Sequence, residues 1–401
     1  MVKKLFKGIF NYLRTTDLIL WFLLAAISVY SLVLLKSVSR AVTESDYFKT
    51  QLIAVVVGSA AAIVLSLLDY GVFGNFWYLI AGASILLMIY TLVFGEEVVG
   101  SGGVNAKAWI NIGGRTFQSS ELVKIAFMIT YAKHLEILKK NGTLTSPLQV
   151  VFLGVHALVP MFLCYLQGDT GAAVVFFFMF LTMSLAGGVQ LRYFAILGIL
   201  LIIAIPLLWR FVMAEYQKDR IIALFNLDNP VIRMDAGYQQ YQGRISIGSG
   251  KWSGQGLFEG SRVASRSVPF QHSDYIFSVA GEELGFVGCS LIILLLLLFM
   301  LKVLHVASTA RDDLGRLMCF GFFGMIALQS VSNIGMCLAI LPVMGLTLPF
   351  FSAGGSSAIC LYFGFGLVQS VYMHRKESDG LRVHRSTPLR FSYDQIKTLQ
   401  Q

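Results

Sequence analysis

Runs of about 20 apolar residues recur along the 401-residue chain, near 17–37, 49–68, 74–95, 119–137, 147–166, 170–188, 191–213, 275–304, 316–341 and 350–373. A helix needs about 20 such residues to cross the hydrocarbon of a bilayer. Backbone groups find no partner in lipid, so each run is expected to cross as a helix. The weak alternation of barrel strands is absent. Composition agrees: 56% of residues are hydrophobic and 13% charged, where a soluble domain carries roughly a quarter charged. Such a chain cannot cover itself with polar surface. The expected fold is an all-α polytopic membrane protein of about ten helices, with a large loop between the seventh and eighth. The fourth run is the least regular, interrupted by Glu121, Lys124, Lys133 and His134.

Orientation is read from short-loop lysines and arginines. The N-terminus carries Lys3, Lys4, Lys7 and Arg14. Placing it in the cytoplasm also places Lys139, Lys140, Arg311, Arg316 and the tail cations Arg375, Lys376, Arg382, Arg385, Arg390 and Lys397 inside. An even number of spans returns the C-terminus to that side. The first run is too long for a signal-peptide core and lacks a small-residue cleavage site. The organisation expected is a cytoplasmic segment 1–16, a membrane domain 17–373 and a basic cytoplasmic tail 374–401, with outer loops 96–118 and 214–274. The longer loop carries Lys218, Arg220, Arg233, Arg244, Lys251, Arg262 and Arg266. Loops of that length escape the positive-inside bias. Such a basic outer surface suits an anionic ligand such as a lipid phosphate, or it is simply a solvated loop.

Several chemistries find no support. The five cysteines, Cys164, Cys289, Cys319, Cys337 and Cys360, sit inside apolar runs without a pairing pattern and read as buried spectators. GRISIGSGKWSGQG (243–256) fails as a phosphate loop because Lys251 is followed by Trp252 and the preceding glycine spacing is wrong. Its glycines suit tight turns. The histidines are scattered and no GxSxG elbow occurs. No cofactor is required by the sequence, and a divalent cation is left open. No internal repeat marks a repeat-built transporter.

Polar residues at membrane depth are costly and therefore informative. They fall into four clusters. In the first, Lys107, Trp109, Arg115 and Gln118 lead into Ser120, Glu121 and Lys124. Glu121 and Lys124 are three apart, share a helix face and are able to pair, as a site or as a snorkelling ion pair beside an interfacial tryptophan. The second is Gln167-Gly168-Asp169-Thr170-Gly171, where Asp169 suits a helix N-cap. The third, Gln271-His272-Ser273-Asp274, precedes the eighth run, with Glu282 and Glu283 beyond it. Asp274 fits either an N-cap or a partly desolvated carboxylate base. The fourth joins Asn333 and Pro342 to the Pro- and Gly-rich turn 349–357, which is either a plain loop or irregular backbone lining a cavity.

In this order the clusters resemble the SEDS family (shape, elongation, division and sporulation), the RodA/FtsW proteins. The matching stretches are GGVNAKAWINIGGRTFQSSELVKI (102–125), QGDTG (167–171), 237–288 from GYQQYQGRISIGSG to QHSDYIFSVAGEELGFVG, and NIGMCLAILPVMGLTLPFFSAGGSS (333–357). The resemblance implies a peptidoglycan glycosyltransferase that polymerises lipid II on the outer face of the cytoplasmic membrane. The essential carboxylate of the family's QH[ST]D motif lands on Asp274, its first-loop tryptophan on Trp109, and the lysine of SE-x-x-K on Lys124. Glu121, Lys107, Arg115, Gln118, Asp169, Arg244 and His272 complete the substrate-binding candidates. The chain departs from the family at Ser119 and Gly168, where proline is usual, at Ala108, where arginine is usual, and at Ala353, where tyrosine or a similar residue is usual. The missing arginine beside Trp109 removes one candidate phosphate or sugar contact, for which Lys107 is the nearest substitute.

Lipid II has a membrane tail, a diphosphate at headgroup level and sugars above it. An enzyme for it needs interfacial cations, a base above them and a groove open to lipid. On this reading Asp274 deprotonates the acceptor, while Lys124, Arg244 and Lys107 or Arg115 stabilise charge on the departing diphosphate. Two other classes stand beside it: a flippase or transporter for lipid-linked precursor, and a catalytically silent scaffold. The implied partner is a class B penicillin-binding protein; membrane lipids, and no nucleic acid, are the other expected neighbours. The short tails favour a RodA-like elongation role over division or sporulation.

Overall fold

The structure, a computed structural model, describes residues 10–41, 46–99 and 105–375. Lys3, Lys4 and Lys7, the tail from Lys376 onward and the first residues of the 102–125 motif lie outside them. Helices follow the order α1 (Leu18–Arg40), α2 (Tyr47–Leu67), α3 (Tyr70–Asn75) and α4 (Trp77–Phe94). Strands β1 (Glu96–Val99), β2 (Asn105–Ile112) and β3 (Arg115–Gln118) come next. Then follow α5 (Ser119–Lys140), α6 (Pro147–Leu166), α7 (Thr170–Gly187) and α8 (Leu191–Phe211). The long loop folds into α9 (Glu215–Phe225), α10 (Pro230–Met234), α11 (Tyr238–Ser249) and α12 (Ser261–Ala264). The chain closes with α13 (Ile276–Ser308), α14 (Asp313–Cys337) and α15 (Gly355–Met373).

Among the described residues, nine helices are long and apolar enough to cross a membrane. The remaining long helix is α5, the charge-interrupted run. It sits inside the bundle because its charges are paired along its own surface: Lys124 to Glu121 at 2.8 Å, and Lys133 and Lys140 both to Glu136 at 2.7 Å. At the other extreme, α8 has no fully buried residue and touches the core only through partly buried side chains such as Tyr193 and Phe194. The chain is a multi-pass membrane protein.

Small residues bring helices together where lipid supplies no hydrophobic drive. On α2, a Cβ added to Gly58 would lie 2.7 Å from the Tyr362 ring of α15. On α15, one added to Gly366 would lie 2.8 Å from the Ala62 backbone. The buried side chain of Gln369 accepts from Thr16 Oγ1 (2.8 Å) and the Asp17 amide (3.0 Å) and donates to the Asp17 carbonyl (3.0 Å). It thus ties the end of α15 to the start of α1.

The loop 96–118 is the one non-helical layer among the described residues, a three-stranded antiparallel sheet in the order β1-β2-β3. Ile112 pairs with Arg115 across Gly113 and Gly114. Both glycines have positive φ (61° and 81°), as a two-residue hairpin turn with the strands' own twist requires.

A second departure from regular helix lies in α13, where Gly285 (φ 64°, ψ −157°) breaks the ladder. The GSGKWSGQG segment fills that break. Phe286 and Val287 donate their amides to the carbonyls of Lys251 (2.9 Å) and Trp252 (3.2 Å). In return Gln255 and Gly256 donate to the carbonyls of Glu282 (2.9 Å) and Glu283 (3.1 Å). The glycine-rich stretch is therefore a backbone splint, which satisfies groups that a broken helix would otherwise strand.

Candidate active site at the sheet end of the bundle

The four polar clusters converge at the end of the bundle that carries the sheet. Asp169 joins the first two. As N-cap of α7 it accepts from the Ala172 amide at 3.1 Å. Its other oxygen accepts from Gln118 Nε2 (2.7 Å) and Ser120 Oγ (2.8 Å). The capping role and the site role therefore coexist in one carboxylate. The Lys107 amide donates to the Gln167 carbonyl at 2.9 Å, and the Lys107 ammonium donates to the Val93 carbonyl at 2.9 Å. Trp109 is paired between Glu96 and Gln118 in the sheet and is partly exposed. Arg115 opens β3.

The departure at Gly168 has a structural reason. The helix α6 ends with Gly168 at φ 78°. The Asp169 amide bonds the Cys164 carbonyl (2.9 Å) and the Gly168 amide bonds that of Tyr165 (3.0 Å). This is the left-handed glycine cap, which proline cannot adopt because its ring fixes φ near −65°. Ser119 opens α5, and Ala108 is buried in β2.

Glu121 and Lys124 pair at 2.8 Å, with the Lys124 side chain 0% exposed. It is thus not a snorkelling lysine. Its charge is already matched, so contact with an anionic substrate requires exchange of Glu121 for that anion.

Around Asp274 the third and fourth clusters interlock. Asn333 Nδ2 donates both to the Asp274 carbonyl (2.8 Å) and to the Leu346 carbonyl (2.7 Å). The Cys337 thiol donates to the same Asp274 carbonyl at 3.6 Å. Ser352 Oγ donates to the Ser273 carbonyl (2.6 Å), and the Ala353 amide to that of His272 (2.8 Å). The irregular segment 338–354 therefore clasps the backbone that presents Asp274. The N-cap position of α13 falls on Tyr275, without a side-chain cap. Asp274 itself is 7% exposed.

His272 stacks on Tyr47 with ring centroids 3.9 Å apart. Burial pushes its ring down to about 4, so it is neutral at pH 7. Arg244 lies exposed on α11, one residue beyond Gly243, whose Cβ would meet the Tyr275 ring at 2.9 Å. The halves of the site meet where the Gln118 amide donates to Ser356 Oγ (3.4 Å) and where Gly171 packs on the Met344 carbonyl. Two features are not marked by any motif. One is Arg220 on α9, which donates to the Val343 carbonyl at 3.2 Å. The other is the handover of Gln118 and Ser120 to Asp169. Only their convergence in space reveals either.

A family model described as cell cycle protein, FtsW/RodA/SpoVE, matches residues 12–377. Over 291 residues the chain is 33% identical to the peptidoglycan glycosyltransferase MrdB of Escherichia coli (strain K12), covering 71% of this chain and 76% of that one. It is 32% identical over 367 residues to the probable peptidoglycan glycosyltransferase FtsW of Geobacter sulfurreducens, covering 88% and 94%. Among solved structures it resembles a chain of a peptidoglycan synthase complex that coordinates polymerization and crosslinking (TM-score 0.74, 29% identity, 89% and 97% covered). It also resembles the Thermus thermophilus rod shape determining protein RodA (TM-score 0.65, 28% identity, 90% and 98% covered).

Proposed function

The chain belongs to the FtsW/RodA/SpoVE family, the SEDS proteins, and from that premise we propose how its site carries out peptidoglycan polymerisation. It is a peptidoglycan glycosyltransferase. The substrate is lipid II and Asp274 is the base. The observation that carries this reading is the clasp around Asp274: a buried carboxylate whose own carbonyl is held by Asn333 and Cys337 and whose neighbour Ser273 is held by Ser352.

Asp274 takes the proton of the acceptor sugar's 4-hydroxyl. The oxygen attacks the donor's anomeric carbon as the bond to undecaprenyl diphosphate breaks, and the diphosphate departs with the electron pair. One inversion converts the α-linked donor to a β-1,4 product, so one base suffices. A diphosphate leaves without protonation, so the second carboxylic acid of a glycosidase is not needed. Arg244, exposed on α11, is the cation free of burial that meets the diphosphate. Lys124 and Lys107 reach it by trading Glu121 and the Val93 carbonyl for phosphate oxygens. Gln118, Asp169 and Trp109 shape the sugar side, with Arg115 at the hairpin and His272 neutral behind the base. No cofactor is invoked.

Inside the cell, the sheet end faces outward and both termini are cytoplasmic. The partner is a class B penicillin-binding protein that crosslinks the strands, supported by the likeness to a complex that joins polymerization to crosslinking. The MrdB and RodA likenesses support an elongation role; the FtsW relatives keep division as the second reading. The test is purified protein with lipid II in detergent, wild type beside Asp274→Asn, with and without the transpeptidase. Glycan ladders are expected from wild type only, with a loss of at least 100-fold in the variant. Ladders at wild-type rate from Asp274→Asn would remove Asp274 as the base. Lipid II crossing vesicles without polymer would move the chain to the transport class.

A further inference from the structure

The long loop ties an arginine to the segment that also holds the backbone of the base. Arg220 lies on α9, some fifty residues ahead of Asp274, yet both are tied to the irregular segment that follows α14. Its guanidinium donates to the Val343 carbonyl at 3.2 Å. Gln240 Nε2 donates to Leu341 at 2.7 Å, and Asn333 bridges Leu346 and Asp274 at 2.7 and 2.8 Å. Residues 341–346 thus form a rail from which the Arg220 head and the Asp274 backbone both hang. Neither residue stands without a partner.

We propose that Arg220 is the positioning cation that keeps the Asp274 carboxylate ionised and aimed at the acceptor hydroxyl. The inference rests on the polymerase reading and deepens it. Burial pulls the Arg220 guanidinium below its ordinary range, while Tyr216, Asp274 and Tyr275 hold it up. An arginine is retained there against the cost of losing water, which suits a charge with an anionic neighbour. The titratable groups in electrostatic reach of Asp274 include Arg220 from α9, the adjoining Tyr275, and Cys337 from α14. The phenol and the thiol are ordinarily neutral at pH 7, so of these three Arg220 supplies the charge.

The sign follows directly. An opposite charge nearby lowers a carboxyl pKa by about 1–3 units. Removing it raises that pKa, so the base is protonated at a higher pH and the acidic limb of kcat/KM moves up. Below both limbs the loss is about tenfold per unit; well above them the rate returns.

The experiment is the polymerisation rate of the full chain with lipid II from pH 5 to 9, for wild type, Arg220→Lys and Arg220→Gln. Arg220→Met replaces the glutamine variant if the latter does not fold. The expected result is an acidic limb displaced upward by about 1–3 pH units in the neutral variants, with KM for lipid II unchanged and the lysine variant close to wild type. Three outcomes overturn the proposal: superposed profiles in wild type and neutral variants, a lysine variant displaced as far as the neutral ones, or a pH-independent loss with raised KM, which marks a diphosphate contact instead. Failure of wild type to make polymer strikes the polymerase reading, not this one.

Discussion

Lys124 fully buried beside Glu121, at 2.8 Å, poses a residue-scale problem of two charges removed from water. Their mutual attraction offsets that cost only while both are present. Glu121→Gln is therefore expected to destabilise the protein by about 3–5 kcal/mol, because it leaves an uncompensated buried ammonium. The double variant Glu121→Met with Lys124→Met is expected to melt closer to wild type than the single one, yet to polymerise no lipid II. Thermal unfolding in detergent beside the glycan assay checks both halves. A double variant that regains activity along with stability would reduce the pair to a structural role. The i, i+3 spacing made this pair readable from the chain; its depth did not follow from spacing. Asp169 teaches a similar lesson. Its capping role was legible because Asp before an apolar run has a local reason, whereas its bonds to Gln118 and Ser120 join residues about 50 positions apart. Arg220 gave no signal, being one of seven loop cations until Val343 came within reach.

At the scale of elements, the splint on α13 explains a glycine pattern that composition leaves ambiguous. Gly254 has φ 82°, and a Cβ there would lie 2.0 Å from the Glu283 carbonyl oxygen. Gly254→Ala thus combines a left-handed backbone with a clash, and is expected to cost about 2–5 kcal/mol. Gly113→Ala is the control. Its φ is 61° but nothing lies within 4 Å of the added Cβ, so only the dihedral cost of about 1–2 kcal/mol applies. Melting temperatures of the two variants check the difference, and equal shifts would mean the splint is not packed as described. The apolar run 275–304 reads as one uninterrupted helix in sequence. The break at Gly285 is invisible there because the backbone groups it frees are satisfied by residues 251–256, well before the run begins.

For the whole molecule, the arrangement predicts a sidedness. Ser253, in the exposed splint against the N-terminal part of α13, and Ser308, exposed at the C-terminal end of that helix, lie well apart along it. With the sheet end outward, Ser253→Cys is expected to react with a membrane-impermeant maleimide on intact cells, and Ser308→Cys only after permeabilisation. The five native cysteines are buried, so they add little background. The reverse pattern would invert the topology. The all-helical class and the multi-pass membrane character were determined by the sequence alone, because a bilayer accepts only helices of about 20 apolar residues. The charged fourth run was the hard case, and pairing within α5 is what lets it join the bundle. Tertiary structure decided the rest: which of many polar residues meet, that α14 and the irregular turn after it clasp the backbone around Asp274, and that Arg220 is tied to the same turn through Val343. Those contacts join positions far apart in the chain, and their energy comes from burial and geometry that no local pattern of residues encodes.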